Sequence, residues 1–155
     1  MQTFLPYPDY YRSAQCLDPS RLGNQMYREG LTLLRGKWAN HPASKMWAGS
    51  RAHLCRYLLA CCDVLAYRGL PYPQHRAEIL RALATYADTE PNLPAWLGCE
   101  YFHAAHRSSL LGKDPDHYSQ FGWTEPLGIP YYWPADARTT LNPIDASEML
   151  RAFGS

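Results

Sequence analysis

The chain has 155 residues, enough for one domain with a sizeable core, and 14% of them are aromatic. No apolar run approaches the roughly 20 residues of a membrane span, and the N-terminus lacks the charged and apolar regions of a signal peptide. The five cysteines form an odd number without regular spacing, which favours reduced thiols in a cytosolic protein. We therefore expect neither a membrane protein nor a disulfide-rich secreted one.

The net charge of +1 conceals an uneven distribution. Residues 1–60 contain eight Arg or Lys and three Asp or Glu, whereas residues 61–155 contain seven and eleven. A basic first third is what a polyanion-binding surface requires. A chance fluctuation on a solvated surface is the alternative.

The first half of the chain predicts two helices. The stretch FLPYPDYY, residues 4–11, is expected to be extended, because its two prolines are incompatible with a helix interior. Asp18 followed by Pro19 is a typical helix start, which predicts a first helix over 19–35. The apolar residues keep helical spacing for about five turns in a second predicted helix, over 42–68.

The second half predicts two further helices, over 75–87 and 96–111, each bounded by glycine or proline. Asp114 and the proline after it predict one or two more helical turns. No segment predicts a strand. The sequence therefore predicts an all-α protein of about four helices.

From Gly122 onward, proline and glycine are too frequent for regular structure. We expect an ordered aromatic tail over 122–155, packed on the helices of a single domain that spans residues 1–155, with a short helix near 145–152. The aromatic side chains of this tail predict either a packing lid or a surface for stacking on bases. They are Trp123, Tyr131, Tyr132 and Trp133.

Glu29 is the unusual residue of the first predicted helix. With α-helical spacing it shares one stripe with the apolar residues Leu22, Met26 and Leu33. A carboxylate among apolar groups costs free energy unless a partner compensates. A structural glutamate that is satisfied by an arginine is one explanation.

The flank of the same predicted helix favours a second explanation. Arg21, Gln25 and Arg28 lie together beside Glu29, so the acid is expected at the edge of a basic strip. An acid in a cationic cleft can act on a polyanionic substrate as a proton donor, a proton acceptor or a stabiliser of positive charge.

Short segments of the chain resemble a known family. YREGLTLL (27–34) is followed by WANHPASKMW (38–47), and together they resemble the small all-helical pyrimidine-dimer DNA glycosylase/AP lyases of the phage endonuclease V type. In that family an Arg-Glu pair on the first long helix precedes an aromatic-x-x-His/Ser-Pro segment that opens the second. FHAAHRSSLLGKDPDHY (102–118) and the N-terminal MQTFLPYPD and LDPSRLG are similar to further parts of such proteins.

The resemblance implies an imine mechanism. The α-amine of the first residue attacks the sugar C1′ and expels the base, and β-elimination then cleaves the strand. An α-amine has a reference pKa of about 7.7–8.0 and is partly unprotonated near neutral pH, unlike lysine at about 10.4. Methionine is normally removed only before small residues, so with Gln2 in second place the working amine is expected on Met1. The resemblance makes Glu29 the catalytic acid and Arg28 its phosphate-contacting neighbour.

Double-stranded DNA that contains a damaged or modified pyrimidine is the expected partner, and the protein is expected to act as a monomer. The anion-favouring start of a predicted helix carries His41 and Lys45 one turn apart. Arg21, Arg28, Lys45 and Arg107 are expected to line one cleft with Glu29 and the N-terminus. The predicted DNA-binding residues are Arg21, Gln25, Asn40, His41, Lys45, His103, His106, Arg107 and Lys113.

A metal site is an alternative use of one histidine cluster. Cys99, His103 and His106 could share a helix face, with His117 nearby. Structural zinc usually adds a fourth ligand at close spacing, and the HExxH motif is absent. The chain also lacks a Gly-rich phosphate loop and a serine nucleophile elbow, so neither a metal nor a cofactor is expected.

Three functions fit these observations. The first is a DNA glycosylase with lyase activity, which the position of Glu29 favours. The second is a binding module that keeps the helical scaffold without catalysis, which Gln2 and the low net charge favour. The third is an enzyme that cleaves the N-glycosidic bond of a free nucleotide.

Overall fold

The computed structural model of the protein describes residues 2–141, 147, 148, 150 and 151, with the side chains of residues 24–27 excepted. Within these residues there are helices and no strand, so the predicted all-α fold is confirmed. The helices are α1, Tyr10–Cys16; α2, a π-helical segment Arg21–Glu29 continued by the α-helical Gly30–Leu34; α3, Pro42–Lys45; α4, Arg51–Tyr67; α5, Pro73–Thr89; α6, Glu100–Lys113; and α7, Pro115–Tyr118, followed by a 3₁₀ turn, Ser119–Phe121.

Helix α1 was not predicted from the sequence. The expectation of an extended chain over 4–11 is wrong for Tyr10 and Tyr11, which begin this helix. The side chain of Asp9 caps the helix by accepting a hydrogen bond from the backbone N–H of Arg12 at 2.9 Å. Pro6 and Pro8 precede this cap, and a proline does not prevent a helix that begins after it.

The second predicted helix is interrupted, so that α3 and α4 are separate. Gly49 lies between them with a φ of 93°, a left-handed conformation that ends a helix and suits glycine. Its N–H donates to Glu90 at 3.1 Å, and the hydroxyl of Ser50 donates to the carbonyl of Asn92. The break therefore anchors the start of α4 to the chain that follows α5.

Helix α4 is the centre of the fold. It packs against α1, α2 and α5, and most of its residues are buried. A helix that is apolar on nearly all faces belongs in the interior. Beside it, Trp47 packs edge-to-face on Trp96 with ring centroids 5.0 Å apart, and Trp96 packs on Phe102 of α6 at 4.7 Å.

The tail lies over α6 across the residues up to 141 that the structure describes. Trp123 stacks on Tyr118 with the ring planes 13° apart and donates from its indole N–H to the hydroxyl of Tyr7 at 2.7 Å. The hydroxyl of Ser108 on α6 donates to the carbonyl of Pro126 and accepts from the N–H of Ile129. Of the short helix predicted near 145–152, the structure describes residues 147, 148, 150 and 151, and these four are helical.

The described helices include none that is long and apolar enough to cross a membrane. The five cysteines are free thiols, and all but Cys99 are buried.

Gly30 sets the distance between α2 and α4. A Cβ built on Gly30 would overlap the side chain of Leu58, which is fully buried on α4. A glycine in a helix costs about 0.5–1 kcal/mol relative to alanine, so close packing is the reason for its presence here. Glu29 directly precedes Gly30. The close approach of Gly30 to Leu58 therefore fixes the distance of the Glu29 backbone from α4.

We expect Gly30→Ala to lower the free energy of unfolding by about 1–3 kcal/mol, because the added methyl group overpacks the core more than it favours the helix. Gly23→Ala is the matched control in the same helix, since no atom lies within 4 Å of a Cβ at that position. Chemical denaturation of both variants measures the difference. A Gly30→Ala protein at least as stable as the wild type would show that Leu58 moves aside without cost.

Candidate active site

The N-terminal segment, residues 2–6, runs through the interior of the protein instead of over its surface. Gln2 is only 4% exposed, and every residue from Thr3 to Pro6 is buried. The indole N–H of Trp47 donates to the hydroxyl of Thr3 at 3.1 Å, and the hydroxyl of Tyr57 donates to the carbonyl of Phe4. An extended segment in a core must find partners for its backbone groups, and here side chains of α4 and α6 supply them.

Two histidines of α6 bracket the peptide groups of Leu5. The N–H of Leu5 donates to Nδ1 of His106 at 2.8 Å, and Nδ1 of His103 lies 2.7 Å from the carbonyl of Leu5. Nε2 of His103 accepts from the N–H of Gly98 at 2.9 Å. Since Nε2 is an acceptor, the proton of the neutral His103 ring must lie on Nδ1, where it is donated to Leu5. By the same logic His106 carries its proton on Nε2, which is buried without a partner.

Burial keeps both imidazoles uncharged. It lowers the pKa of His103 to about 4 and places the pKa of His106 well below its ordinary range. The neighbouring Arg107 further disfavours a second positive charge on either ring. The bracket around Leu5 therefore has one protonation pattern near neutral pH.

Arg107 holds the next residue of the N-terminal segment. One of its guanidinium nitrogens donates to the carbonyl of Pro6 at 2.8 Å. Its charge is balanced by two carboxylates, Glu125 at 2.6 Å and Glu100. A guanidinium that is nearly buried and doubly paired is not free to neutralise a phosphate.

These contacts correct the sequence-based expectations for α6. His103 and His106 are fully buried and Arg107 nearly so, so they position the N-terminal segment and do not face a DNA backbone. The metal alternative also fails for His103, because both of its ring nitrogens are already hydrogen-bonded. No three potential ligands of a metal converge anywhere in the described part of the chain.

Glu29 is half-buried at the end of the π-helical segment of α2. Leu22 and Leu33 are buried, as their place on the predicted stripe requires, whereas Met26 lies among the side chains that are not described. The π-helix advances through a smaller angle per residue than an α-helix, so Glu29 lies off the stripe and reaches solvent. It is therefore a carboxylate at the edge of the core, not one enclosed in it.

Arg28 points into a pocket of about 590 Å³ that Glu29 does not line. Its walls come from α2 and from the chain around the start of α5, including Tyr72 and His75. Arg35 also lines this pocket and forms a bidentate ion pair with Glu78, with N–O distances of 2.7 and 2.8 Å. Arg28 itself is exposed and forms no ion pair with any residue that the structure describes.

Arg21 is held at the base of α2 by Asp18, at 3.2 Å. Burial alone would raise the pKa of Asp18, but hydrogen bonds from Tyr118 and Arg21 outweigh it and leave the pKa below its ordinary value. Arg21 also lies close enough to Tyr131 for its charge to act on that phenol, whose pKa burial raises. Arg21 is thus a paired residue beside the tail.

The remaining predicted DNA-binding residues have different surroundings. Asn40, Lys45 and Lys113 are exposed. His41 is half-buried and caps α3, because its Nδ1 accepts from the N–H of Ala43 at 3.0 Å. Gln25 belongs to the side chains that are not described, and Met1, with the proposed nucleophile, lies outside the described residues.

A continuous series of aromatic rings, which we call the aromatic wall, connects the surface near α3 to the N-terminal segment. Neighbouring rings in the series have centroids 5.4 to 6.0 Å apart. At its inner end the ring of His106 packs against Phe4. The wall consists, from the surface inward, of Trp38, His41, Trp133, Tyr131 and His106.

Sequence reasoning missed Gln2, Thr3 and Phe4 as parts of the site. One signal was available, because two histidines three residues apart within an apolar helical stretch are more often satisfied core residues than surface ligands. Their partner is a backbone group about 100 residues away, and no local pattern identifies it.

Fold and site together define an all-α protein whose N-terminal segment is fixed in the core and is linked by aromatic rings to an exposed basic region. The chain belongs to the pyrimidine dimer DNA glycosylase family, whose sequence model matches residues 1–86. The match includes Arg28, Glu29 and the segment around His41, whereas α6 and the tail lie beyond it. No curated protein and no solved structure matches the chain.

The histidine bracket makes stability depend on pH. Below pH 6.5 the imidazoles of the unfolded chain take up protons while the folded ones do not, so we expect the free energy of unfolding to fall as pH decreases from 7 toward 4. Each imidazole contributes a slope of at most about 1.4 kcal/mol per pH unit. Denaturant unfolding at several pH values measures the slope.

His106→Gln should reduce the slope of the free energy of unfolding against pH by the contribution of one imidazole. His75→Gln, at the edge of the pocket that Arg28 lines, is the matched control. An unchanged slope in His106→Gln would mean that the ring is protonated alike in the folded and unfolded chain.

Proposed function

We propose that the protein is a DNA glycosylase with AP lyase activity that removes a damaged or modified pyrimidine through an imine with its N-terminal amine. The amine forms a bond to C1′ of the target sugar, and the base leaves with the electrons of the glycosidic bond. The sugar ring then opens at the C1′–O4′ bond as the nitrogen forms the imine, and O4′ takes up a proton. Loss of a C2′ proton from the imine expels the 3′ phosphate, which leaves with the electrons of the C3′–O bond. Family membership supports the substrate class, and the site supports the use of the N-terminus.

The fixed N-terminal segment is the observation that carries this proposal. The segment of five buried residues that leads to the proposed nucleophile has a defined course, because Trp47, Tyr57 and three residues of α6 hold it. A nucleophile that is held in place avoids the entropic cost of being positioned in each turnover.

Glu29 is the proposed acid of the reaction. A half-buried carboxylate at the edge of the core can be reached by a substrate and can still exchange protons. It would stabilise the positive charge that develops on the sugar and transfer protons to the leaving base and from C2′. Gly30 supports this role because its contact with Leu58 fixes the backbone beside Glu29.

The proposed DNA surface consists of exposed polar residues that no carboxylate in the described chain neutralises. Arg28 contributes a guanidinium, Lys45 an ammonium group and Asn40 an amide. Lys113 is a more distant candidate at the end of α6. Arg21 and His41 are engaged with partners of their own, Asp18 and the N–H of Ala43.

Borohydride trapping with DNA that contains an abasic site tests the mechanism. We expect a covalent adduct whose mass maps to the N-terminal peptide, because reduction fixes the imine. Acetylation of the amine or a retained N-terminal tag should abolish the adduct. An adduct that forms with a blocked N-terminus would assign the chemistry to a lysine instead.

Turnover of the same abasic-site DNA, measured as strand cleavage, tests the role of Glu29. Glu29→Gln keeps the shape of the side chain and removes its ability to carry a proton, so turnover should fall by at least about 10²-fold while the melting temperature stays the same. Asp88→Asn, an exposed carboxylate of α5, is the matched control. Full activity in Glu29→Gln would remove Glu29 from the mechanism.

Salt dependence tests the DNA surface. Each neutralised phosphate adds about one unit to the slope of log K against log salt, so Arg28→Ala should weaken binding to all sequences and reduce that slope by about one. Arg138→Ala is the control, because Arg138 is exposed but paired with Asp136 at 2.9 Å in the tail. Equal losses for both variants would favour a diffuse electrostatic attraction over a defined contact.

A further inference from the structure

Trp38 combines exposure with an unfavourable backbone conformation. Its side chain is 57% exposed, and it is the only non-glycine residue with a positive φ, 62°, within the part of the chain that the structure describes. A bulky L-residue in the left-handed region is strained, and such strain persists only where the surrounding structure enforces it.

The turn that carries Trp38 is held by its neighbours. The N–H of His41 donates to the carbonyl of Trp38 at 2.9 Å, and the two rings lie 6.0 Å apart. His41 is fixed in turn by its hydrogen bond from Ala43 and by edge-to-face packing on Trp133 at 6.0 Å. The indole is therefore presented to solvent from the outer end of the aromatic wall by a defined structure.

The segment of chain that contains Trp38 carries one sign of charge. Residues 30–62 contain five Arg or Lys and no Asp or Glu. Arg35 pairs with Glu78 of α5, and Arg51 pairs with Glu90, which directly follows α5. Lys37 and Lys45 are exposed and form no ion pair among the described residues. Lys37 is the neighbour of Trp38 in the chain, and Lys45 lies one helical turn beyond His41. An exposed ring with unpaired cations nearby in the chain matches a ligand with an aromatic face and flanking phosphates.

We infer that Trp38 is the base-stacking residue of the DNA surface: its indole packs on the face of a base at the opened step beside the target nucleotide, while Lys37 and Lys45 contact the flanking phosphates. This inference rests on the proposed function for its substrate. A damaged or mispaired base is easier to unstack than an intact one, so a residue that occupies the opened step favours damaged DNA. Stacking is also tolerant of sequence, because every base has an aromatic face.

The structure suggests a test in which loss of the ring does not endanger the fold. Trp38→Gly removes the indole and also relieves the positive φ, so its melting temperature should equal or exceed that of the wild type. Trp38→Phe retains an aromatic ring at the same site. Tyr67→Ala removes an exposed ring, 94% accessible, from the end of α4, where the acidic Asp63 lines the same pocket, and it is the matched control.

Each variant is titrated against a duplex that carries an abasic-site analogue with 2-aminopurine as the adjacent base. We expect Trp38→Gly to bind roughly ten- to a hundredfold more weakly, and to lose the change in 2-aminopurine fluorescence that accompanies wild-type binding. Trp38→Phe should retain most of both signals, and Tyr67→Ala should retain them fully.

Wild-type affinity and an unchanged fluorescence response in Trp38→Gly would overturn the inference, and so would an equal loss in Tyr67→Ala. The borohydride assay separates this result from the proposed chemistry. A wild-type protein that binds DNA through Trp38 but forms no adduct would uphold the stacking role and refute the imine mechanism.

Discussion

The peptide groups of Leu5 are the point on which the rest of the site depends. The N–H of Leu5 requires an acceptor in the core and its carbonyl requires a donor, and His106 and His103 supply one of each. Only neutral imidazoles with opposite tautomers can do so, and burial keeps them neutral. The course of residues 2–6 follows from this pair of hydrogen bonds. So does the position of the aromatic wall, because its innermost ring is one of the two imidazoles.

The sequence predicted helices best where local chemistry marks their ends. Asp114 before a proline predicted a helix start, and its side chain does accept a hydrogen bond from His117. The break between α3 and α4 was not predicted, because apolar spacing continues on both sides of Gly49. Helix α1 was not predicted because it is short and follows two prolines. Its stability comes from packing on α4, which local propensity does not report.

The sequence singles out some members of the candidate site and not others, and the division has a physical cause. Glu29 was singled out because it interrupts an apolar stripe, and Arg28 because it lies on the flank beside Glu29; their roles stay predictions. A count of arginines along the sequence treats each one as free to bind a phosphate. In the fold, however, Arg107 and Arg21 are paired with carboxylates. Which cations remain free depends on contacts between distant segments, and only the structure reveals them. The π-helical geometry that moves Glu29 to the surface has no signature in the composition.

The bracket around Leu5 also has a consequence for the order of events on the ribosome. Leu5 emerges early, but its partners follow about 100 residues later. Until α6 has been synthesised, the polar backbone groups of residues 2–6 lack their α6 partners and remain hydrated, while α1 to α5 can already pack together. Closing so long a loop carries an entropic cost that local helix formation does not. We therefore expect the contacts of Leu5 to form after α1 to α5 have packed, once α6 is present.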